Sequence, residues 1–332
     1  MLSKAGVTER GAVLLGKYVA CDGFDETRPL RVVTHAHSDH MLGLRQSLMQ
    51  CESLVMTPST KDLIDVLMGP LFLMMGNVKT LDYNKPLTLN NETLELHYAD
   101  HILGSAQVLV KDVEGDRILY TSDFRIFDTP VIEADVVVIE ATYGNPSRVR
   151  NFGDVKGLFV SLVEKGLKQG PVYVFSYHGK LQETMQILYE AGMKVPFVMP
   201  EKVFHVSKIC ERYGMHLGRV LLSTSEQGRA VLDGGDSCVA FYHMGSRSRV
   251  DRGAFRVCVS GWEFNSACRQ VGEKEFILAL SDHSDFNGLL RYVKESKPKL
   301  VITDNSRVGD AEVLAKEIHR CLGIEAVALP PS

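Results

Sequence analysis

Disulfide spacing is missing from this chain of 332 residues. Its seven cysteines, Cys21, Cys51, Cys210, Cys238, Cys258, Cys268 and Cys321, are scattered, odd in number and never spaced Cys-x-x-Cys. A disulfide framework and a thiolate metal knuckle are therefore excluded, and the expected setting is a reducing cytoplasm. Any bound metal would be held by His and Asp. Positive net charge is also missing. With a formal charge of -4, no global field attracts nucleic acid, so such a partner would be held by a local basic strip or by metals. Long apolar runs do not occur. The most apolar stretch, Leu63 to Met75, is broken by Asp65, Gly69 and Pro70 and is too short for a bilayer. The first residues alternate charge with short apolar pieces and lack a signal-peptide core, so no membrane partner is expected. Low-complexity tracts, charge blocks and long repeats are absent as well.

What is present suits a compact protein with a large core: 45% of residues are hydrophobic, and the length favours one large domain plus a second unit. Short β-branched runs at 30–34, 53–57, 93–98, 108–113, 117–120 and 136–139 read as strands. Helices are few before residue 145. Apolar positions then recur with helical period over 152–170, 181–191 and 202–213, around a strand at 172–177. Strands return at 255–260, 276–280, 300–303 and 325–329, with helices at 287–295 and 310–322. The alternation predicts an α/β protein with a split outer domain, 1–145 and 256–332, and an α/β insert at 146–255.

The chemistry concentrates in Val-Val-Thr-His-Ala-His-Ser-Asp-His, where a strand ends in His35, His37, Asp39 and His40. His35 and His37 share a face in extended chain, and a helix is expected to begin near Met41. One histidine on a loop is usually a solvated side chain. Three imidazoles and a carboxylate directly after an apolar strand suit two divalent ions, with zinc, manganese and iron the ions such ligands accept. Two ions need further ligands, and three candidates follow strands: His101, with Gly104 allowing close backbone approach, Asp123, placed to bridge both ions, and His283. Asp22, after another strand, is a candidate carboxylate behind the ligands.

These motifs resemble the metallo-β-lactamase superfamily, whose His-x-His-x-Asp-His signature is met by His35 to His40. Asp22, His101 and Asp123 match its further metal motifs in order and context. More narrowly the chain resembles the β-CASP nucleases, among them the cross-link-repair, ligase-associated, RNase J and polyadenylation enzymes. Ile139 to Gly144 is similar to their Glu-Ser-Thr-Tyr-Gly segment, which implies that Glu140 supports His40. Ser281 to Phe286 is similar to their Ser-x-His-x-x-Phe segment, which assigns His283 as a metal ligand. The resemblance implies an αββα metallo-β-lactamase sandwich with a small inserted β-CASP-like domain. It departs at Asp100, where Gly usually precedes the histidine, and at Asp304, which falls where RNA-acting members carry His and DNA-acting members Val. Ser260-Gly261-Trp262 is similar to a Thr-Gly-Trp segment of the DNA-acting branch.

The implied activity is hydrolysis of nucleic-acid phosphodiesters by a hydroxide held between two metals, with Asp39, Asp123 and His283 at the reaction centre. DNA is favoured over RNA and a 5′-exonuclease mode fits. An RNA-processing ribonuclease and a small-molecule hydrolase of the same fold are the rival readings. Substrate contacts are expected from the insert. Lys180 at a helix start could hold a phosphate, and Arg247 and Arg249, with Arg252, form either a basic strip or a solvated turn. His178, His243 and Asp304 are candidates for the leaving-group acid, and Trp262 for a substrate contact. The oligomeric state is not legible.

Overall fold

The computed structural model describes residues 1–69, 74 and 76–331, and divides into two compact units, Met1–Val149 with His283–Ser332, and Arg150–Asp282. The far end of the apolar stretch at 63–75 lies outside the described residues.

The first unit carries two mixed sheets. One is six-stranded, in chain order: β1 (Ala5–Val7), β2 (Val13–Leu15), β3 (Val19–Cys21), β4 (Leu30–Val32), β5 (Ser53–Met56) and β6 (Val78–Thr80). β1 to β3 are antiparallel, whereas β3 to β6 are parallel. Helix α1 (Leu44–Gln50) connects β4 to β5, and α2 (Pro58–Met68) follows β5. The second sheet contains β7 (Pro86–Leu89), β8 (Glu92–Tyr98), β9 (Ala106–Lys111), β10 (Arg117–Tyr120) and β11 (Val136–Ile139). From the chain's end it takes β19 (Leu300–Asp304) and β20 (Glu325–Leu329), giving the order β20-β19-β11-β10-β9-β8-β7. β10, β11, β19 and β20 are parallel, and the two antiparallel steps through β9 bring β8 into the same direction. Five loops that matter to the site, after β8, β10, β11, β3 and β4, thus leave carboxyl ends of strands.

Alternation builds the core. In β8, Leu94 and Leu96 are buried while the residues between them are partly exposed, as period two demands of a half-buried strand. Leu15, Val19 and Val32 of the first sheet share one apolar cluster with Leu94, Val108, Ile118 and Val138 of the second. The other face of the second sheet packs Leu119, Val137, Ile139 and Val301 against α7 (Phe286–Ser296) and α8 (Ala311–Leu322), through Leu289, Tyr292, Leu314 and Ile318.

The second unit is built on one seven-stranded sheet. Its strands are β12 (Val172–Ser176), β13 (Phe197–Met199), β14 (Val220–Leu222), β15 (Val239–His243), β16 (Phe255–Ser260), β17 (Cys268–Gly272) and β18 (Glu275–Ala279). The order is β14-β13-β15-β12-β16-β18-β17, parallel except at the β17 edge. Helices α3 (Val155–Leu167), α4 (Lys180–Glu190), α5 (Glu201–Arg212) and α6 (Glu226–Asp233) alternate with the strands.

Two expectations fail for physical reasons. The insert does not end at residue 255. β16 pairs with β12, and β18 with β16, so 256–282 complete the second unit's sheet. The helix expected near Met41 begins only at Leu44, because 38–43 are spent on turns that present Asp39 and His40, and Gly43 sits left-handed (φ 66°) at the helix start. Helix α2 was missed. It starts with Thr57 capping the Thr60 amide and Pro58 in the first turn, a start signal of the usual kind.

Candidate metal centre

The site grows from two strand ends held in place by a buried arginine. Arg31, in the middle of β4 and fully buried, donates to Ser47 Oγ at 2.9 Å, to the Asp22 carbonyl at 2.9 Å and to the His40 carbonyl at 3.1 Å. It ties the loop after β3, the histidine loop and α1 together. Burial lowers its guanidinium to about 10 against the pull of the Asp22 carboxylate, so it remains charged at neutral pH.

Proton bookkeeping then fixes the imidazoles. Ser122 Oγ donates to Thr34 Oγ1 at 2.7 Å, and Thr34 Oγ1 donates to Asp22 Oδ2 at 2.8 Å. Each hydroxyl has a single proton, and both are spent. His35 Nδ1, 3.1 Å from Thr34 Oγ1 and 3.3 Å from Ser122 Oγ, must therefore be the donor, which leaves its Nε2 as a bare lone pair. His40 Nδ1 likewise donates to Asp22 Oδ2 at 2.7 Å. Its Nε2 is buried and makes no hydrogen bond of normal geometry, although Asp123 Oδ2 lies 3.1 Å away. His37 Nδ1 stands 3.2 Å from His35 Nε2 and 3.0 Å from His101 Nε2. Ligand atoms of His35, His37, His101 and Asp123 all lie within 4.8 Å of one another. Four imidazoles grouped around one buried carboxylate make a nitrogen and oxygen donor set that fits divalent ions once His40 gives up its proton.

The other loops are pinned by contacts that a motif does not reveal. His101 is carried by a loop whose Gly104 (φ 85°) lies against the start of α2, where an added Cβ would meet Thr60 Oγ1 at 2.5 Å. Asp100 is the anchor of that loop. Its carboxylate takes both Nε and Nη2 of Arg125 at 2.9 Å, a bidentate pair that joins the His101 loop to the Asp123 loop. Asp22 (φ 60°) and Ser122 (φ 54°) are left-handed non-glycine residues. Such backbone costs about 1–3 kcal/mol each, and here both side chains hold the buried network described above. Asp39 is the exposed member, with its side chain 55% accessible and Oδ2 3.5 Å from His40 Nε2.

Glu140 does not support His40, contrary to the expectation. Its Oε2 accepts from His283 Nδ1 at 2.9 Å and its Oε1 from the Phe124 amide at 3.0 Å, while Asp22 supports His40. Ligand atoms of Asp123, Glu140 and His283 lie within 4.8 Å of one another. Asp304, expected to meet substrate, is buried and committed to Arg307 and to Ser306, whose amide donates at 2.9 Å. In the second unit, Lys180 is buried and 2.8 Å from Asp282 rather than open to phosphate. Arg247 is bound to Glu275 at 2.7 Å, while Arg249 and Arg252 are exposed. His178 and Trp262 follow β12 and β16, with Trp262 49% exposed. The cluster Asp112, Glu114 and Asp116 already surrounds Lys4 Nζ.

Electrostatics make the metal-free site titratable. Burial alone would lower the His40 imidazole, but the Asp123 and Asp22 carboxylates outweigh it and lift it to about 10. Burial and the neighbouring imidazoles hold His35 well below its ordinary value. The unfolded His value is about 6.5, so the raised His40 contributes stability that is complete below that pH and is lost as pH climbs towards 10. Chelator-treated protein is expected to show a urea midpoint that falls between pH 7.5 and 9.5. A flat or rising midpoint would contradict the charged His40. Metal uptake should release that proton, visible as a buffer-dependent heat in calorimetry.

A second expectation concerns Asp22→Ala. It strips His40 of its Nδ1 acceptor, and a partner of this kind is worth about 10–100-fold in metal affinity. Competition with a chromogenic chelator measures the loss. Unchanged affinity would show that Asp22 is only structural.

No family model matches the chain. An uncharacterised protein in the lig 3′ region of Acidianus ambivalens is 38% identical over 138 residues, 41% of this chain and 99% of that protein. A probable DNA ligase of Opitutus terrae is 25% identical over 291 residues, 82% of this chain and 26% of the ligase. Several other relatives bear ribonuclease names, and the chain spans 26% to 60% of the length of its functionally named relatives. Among solved structures, a protein of unknown function from Enterococcus faecalis V583 is alike in fold, with a TM-score of 0.62 over 93% of this chain and 81% of that one at 12% identity. No helix among the described residues is long and apolar enough to cross a membrane. These relatives include β-CASP nucleases of the metallo-β-lactamase superfamily, and the ordered His and Asp motifs of this chain are consistent with that branch.

Proposed function

We propose that the chain is a two-metal nuclease that hydrolyses phosphodiester bonds of DNA, releasing nucleotides from a 5′ end. The observation that carries the reading is the convergence of imidazole nitrogens from His35, His37, His40 and His101 on Asp123. His35, His37, His101 and Asp123 would hold one ion. Asp39, His40 and Asp123 would hold the other, with zinc first among the ions this set suits. Bound there, the ions would polarise a phosphoryl oxygen and lower the pKa of a water from about 16 to about 7. The αββα layering belongs to the same reading, supported by the cluster between the two sheets and by α7 and α8 on the outer face.

The chain's own groups orient and move protons. Asp22, Thr34 and Ser122 keep His35 and His40 in the tautomers that face the pocket. Glu140 holds His283 through Nδ1 and leaves Nε2 to pass a proton to the departing oxygen. Unlike the side chains of His35, His40 and His101, which are wholly buried, that of His283 is 17% accessible. It can therefore exchange its proton with solvent, which a leaving-group acid must do each turnover. Asp304, closed off by Arg307, is the weaker candidate for that duty.

DNA is supported by two relatives whose names refer to a ligase or its neighbourhood. RNA is the second reading, on the strength of the relatives named as ribonucleases. The test is to incubate zinc- or manganese-loaded protein with single-stranded DNA and RNA labelled at either end. Mononucleotides released from the 5′ end of DNA support the reading. RNA cut faster than DNA replaces the polymer. Cleavage of small esters with neither polymer touched would falsify it.

A further inference from the structure

In an open parallel sheet, ligands bind beyond the carboxyl ends of the strands, where neighbouring connections leave in opposite directions. In the second unit that point lies between β12 and β16. From β12 the chain passes through α4 to β13 on one side of the sheet, whereas from β16 it passes to β17 and β18 on the other. Three aromatic rings stand at this end. Ser176 pairs in register with His243 across β12 and β15. Tyr177 therefore leaves beside His243, and their rings meet edge to face at 5.1 Å. Trp262 follows the carboxyl end of β16, the strand paired with β12 on its other side. Tyr177 is 55% and Trp262 49% exposed, a large apolar exposure for two rings that follow paired strands.

The backbone around each ring is held by its neighbours. The Tyr177 carbonyl accepts the Leu181 amide at 3.0 Å, and the turn that follows is anchored by the buried Lys180–Asp282 pair. His243 Nδ1 accepts the Gly245 amide at 3.2 Å. Burial and the Lys202 ammonium lower its imidazole, so it stays neutral near pH 7. Around Trp262, Arg150 donates to the Gly261 carbonyl and covers the Phe264 ring at 4.2 Å. Glu263 is buried between the Asn265 amide at 2.9 Å and Arg269 Nε at 2.7 Å. Exposed rings on a backbone anchored in this way cost little main-chain ordering on binding. Lys202, in the first turn of α5 after β13, acts on His243, and Arg249 and Arg252 are exposed on the segment that follows His243 in the chain.

We propose that Tyr177, His243 and Trp262 form a stacking platform for unpaired nucleobases, with Lys202, Arg249 and Arg252 along the phosphates, and that it selects single strands over duplex. Every base has a face to stack, whereas the faces of paired bases are already covered. The proposal deepens the nuclease reading, and its biological meaning rests on that reading.

Trp262 is the chain's single tryptophan and reports directly. Full-length protein is treated with chelator to prevent cleavage and titrated with an unphosphorylated oligothymidine about ten nucleotides long, or with the same strand annealed to its complement. Saturable quenching by the single strand is expected, with duplex binding at least about tenfold weaker. By anisotropy of a labelled strand, Tyr177→Ala and Trp262→Ala should each weaken binding about tenfold, since stacking on one ring carries an effect of that order. Tyr177→Phe and Trp262→Tyr, which keep a ring, should bind as the parent does. Equal quenching by duplex, or alanine variants that bind unchanged, overturn the platform. If the strand binds and quenches but metal-loaded protein cuts nothing, the nuclease reading falls and the platform stands. If cleavage persists with KM unchanged in both alanine variants, the platform falls and the nuclease reading stands.

Discussion

Asp123→Asn is expected to lose at least about a thousandfold in kcat/KM and to bind less metal than the parent protein, a loss above that of a single transition-state donor. Asp123 Oδ2 lies 3.1 Å from His40 Nε2 and 3.7 Å from the Nε2 atoms of His35 and His101. Burial raises the acid, but His40 and His283 pull it well below its usual range, so it is an anion at neutral pH. Asparagine keeps the shape and removes the charge. The same substitution removes the main attraction that lifts His40, so the fall in urea midpoint between pH 7.5 and 9.5 should shrink in the metal-free variant. The measurements are metal analysis after dialysis, initial rates on labelled DNA and paired urea titrations. A variant that keeps its full metal content and cuts within tenfold of the parent would remove Asp123 from the centre.

The loops that carry the candidate ligands were legible because a metal site needs chemically distinctive side chains close together, and strands deliver them at their ends. His35, His37, Asp39 and His40 announce themselves within six residues, and Asp123 and His101 each follow an apolar run. What orients them was not legible, because those contacts join residues far apart in sequence. Thr34 and Ser122 are ordinary hydroxyls until the fold puts them 2.7 Å apart. Arg31 could have been noticed as a charge interrupting an apolar strand, and Asp100 as a departure from a motif. Neither reveals that one holds two carbonyls or that the other grips Arg125. Glu140 was matched to the wrong histidine for the same reason, since a motif names a residue but not its partner. The insert's boundary was misplaced because β16 reads the same whichever sheet it joins. Register with β12, not local pattern, decides that it belongs to the second unit.

His283→Gln is expected to lower kcat on DNA by about a thousandfold, the range for a positioned general acid, while metal content stays at the parent level. Glu140→Gln, which leaves the imidazole in place but weakens its hold at Nδ1, should cost about 10–100-fold, as orienting partners of a functional histidine do. The split between the two duties open to His283 is measurable. A ligand's loss empties the site and slows every substrate alike. A proton donor's loss matters only when the departing oxygen needs a proton. The decisive comparison therefore uses a nucleoside 5′-(p-nitrophenyl) phosphodiester, whose nitrophenolate leaves unprotonated near neutral pH. His283→Gln should turn this ester over within about tenfold of the parent and remain crippled on DNA, because the proton-transfer contribution is no longer needed. The acid limb of the pH–rate profile on the ester should be the same in variant and parent, whereas on DNA the alkaline limb should be lost in the variant. Equal losses on both substrates, with metal content reduced, would make His283 a ligand and leave the leaving-group acid to another residue.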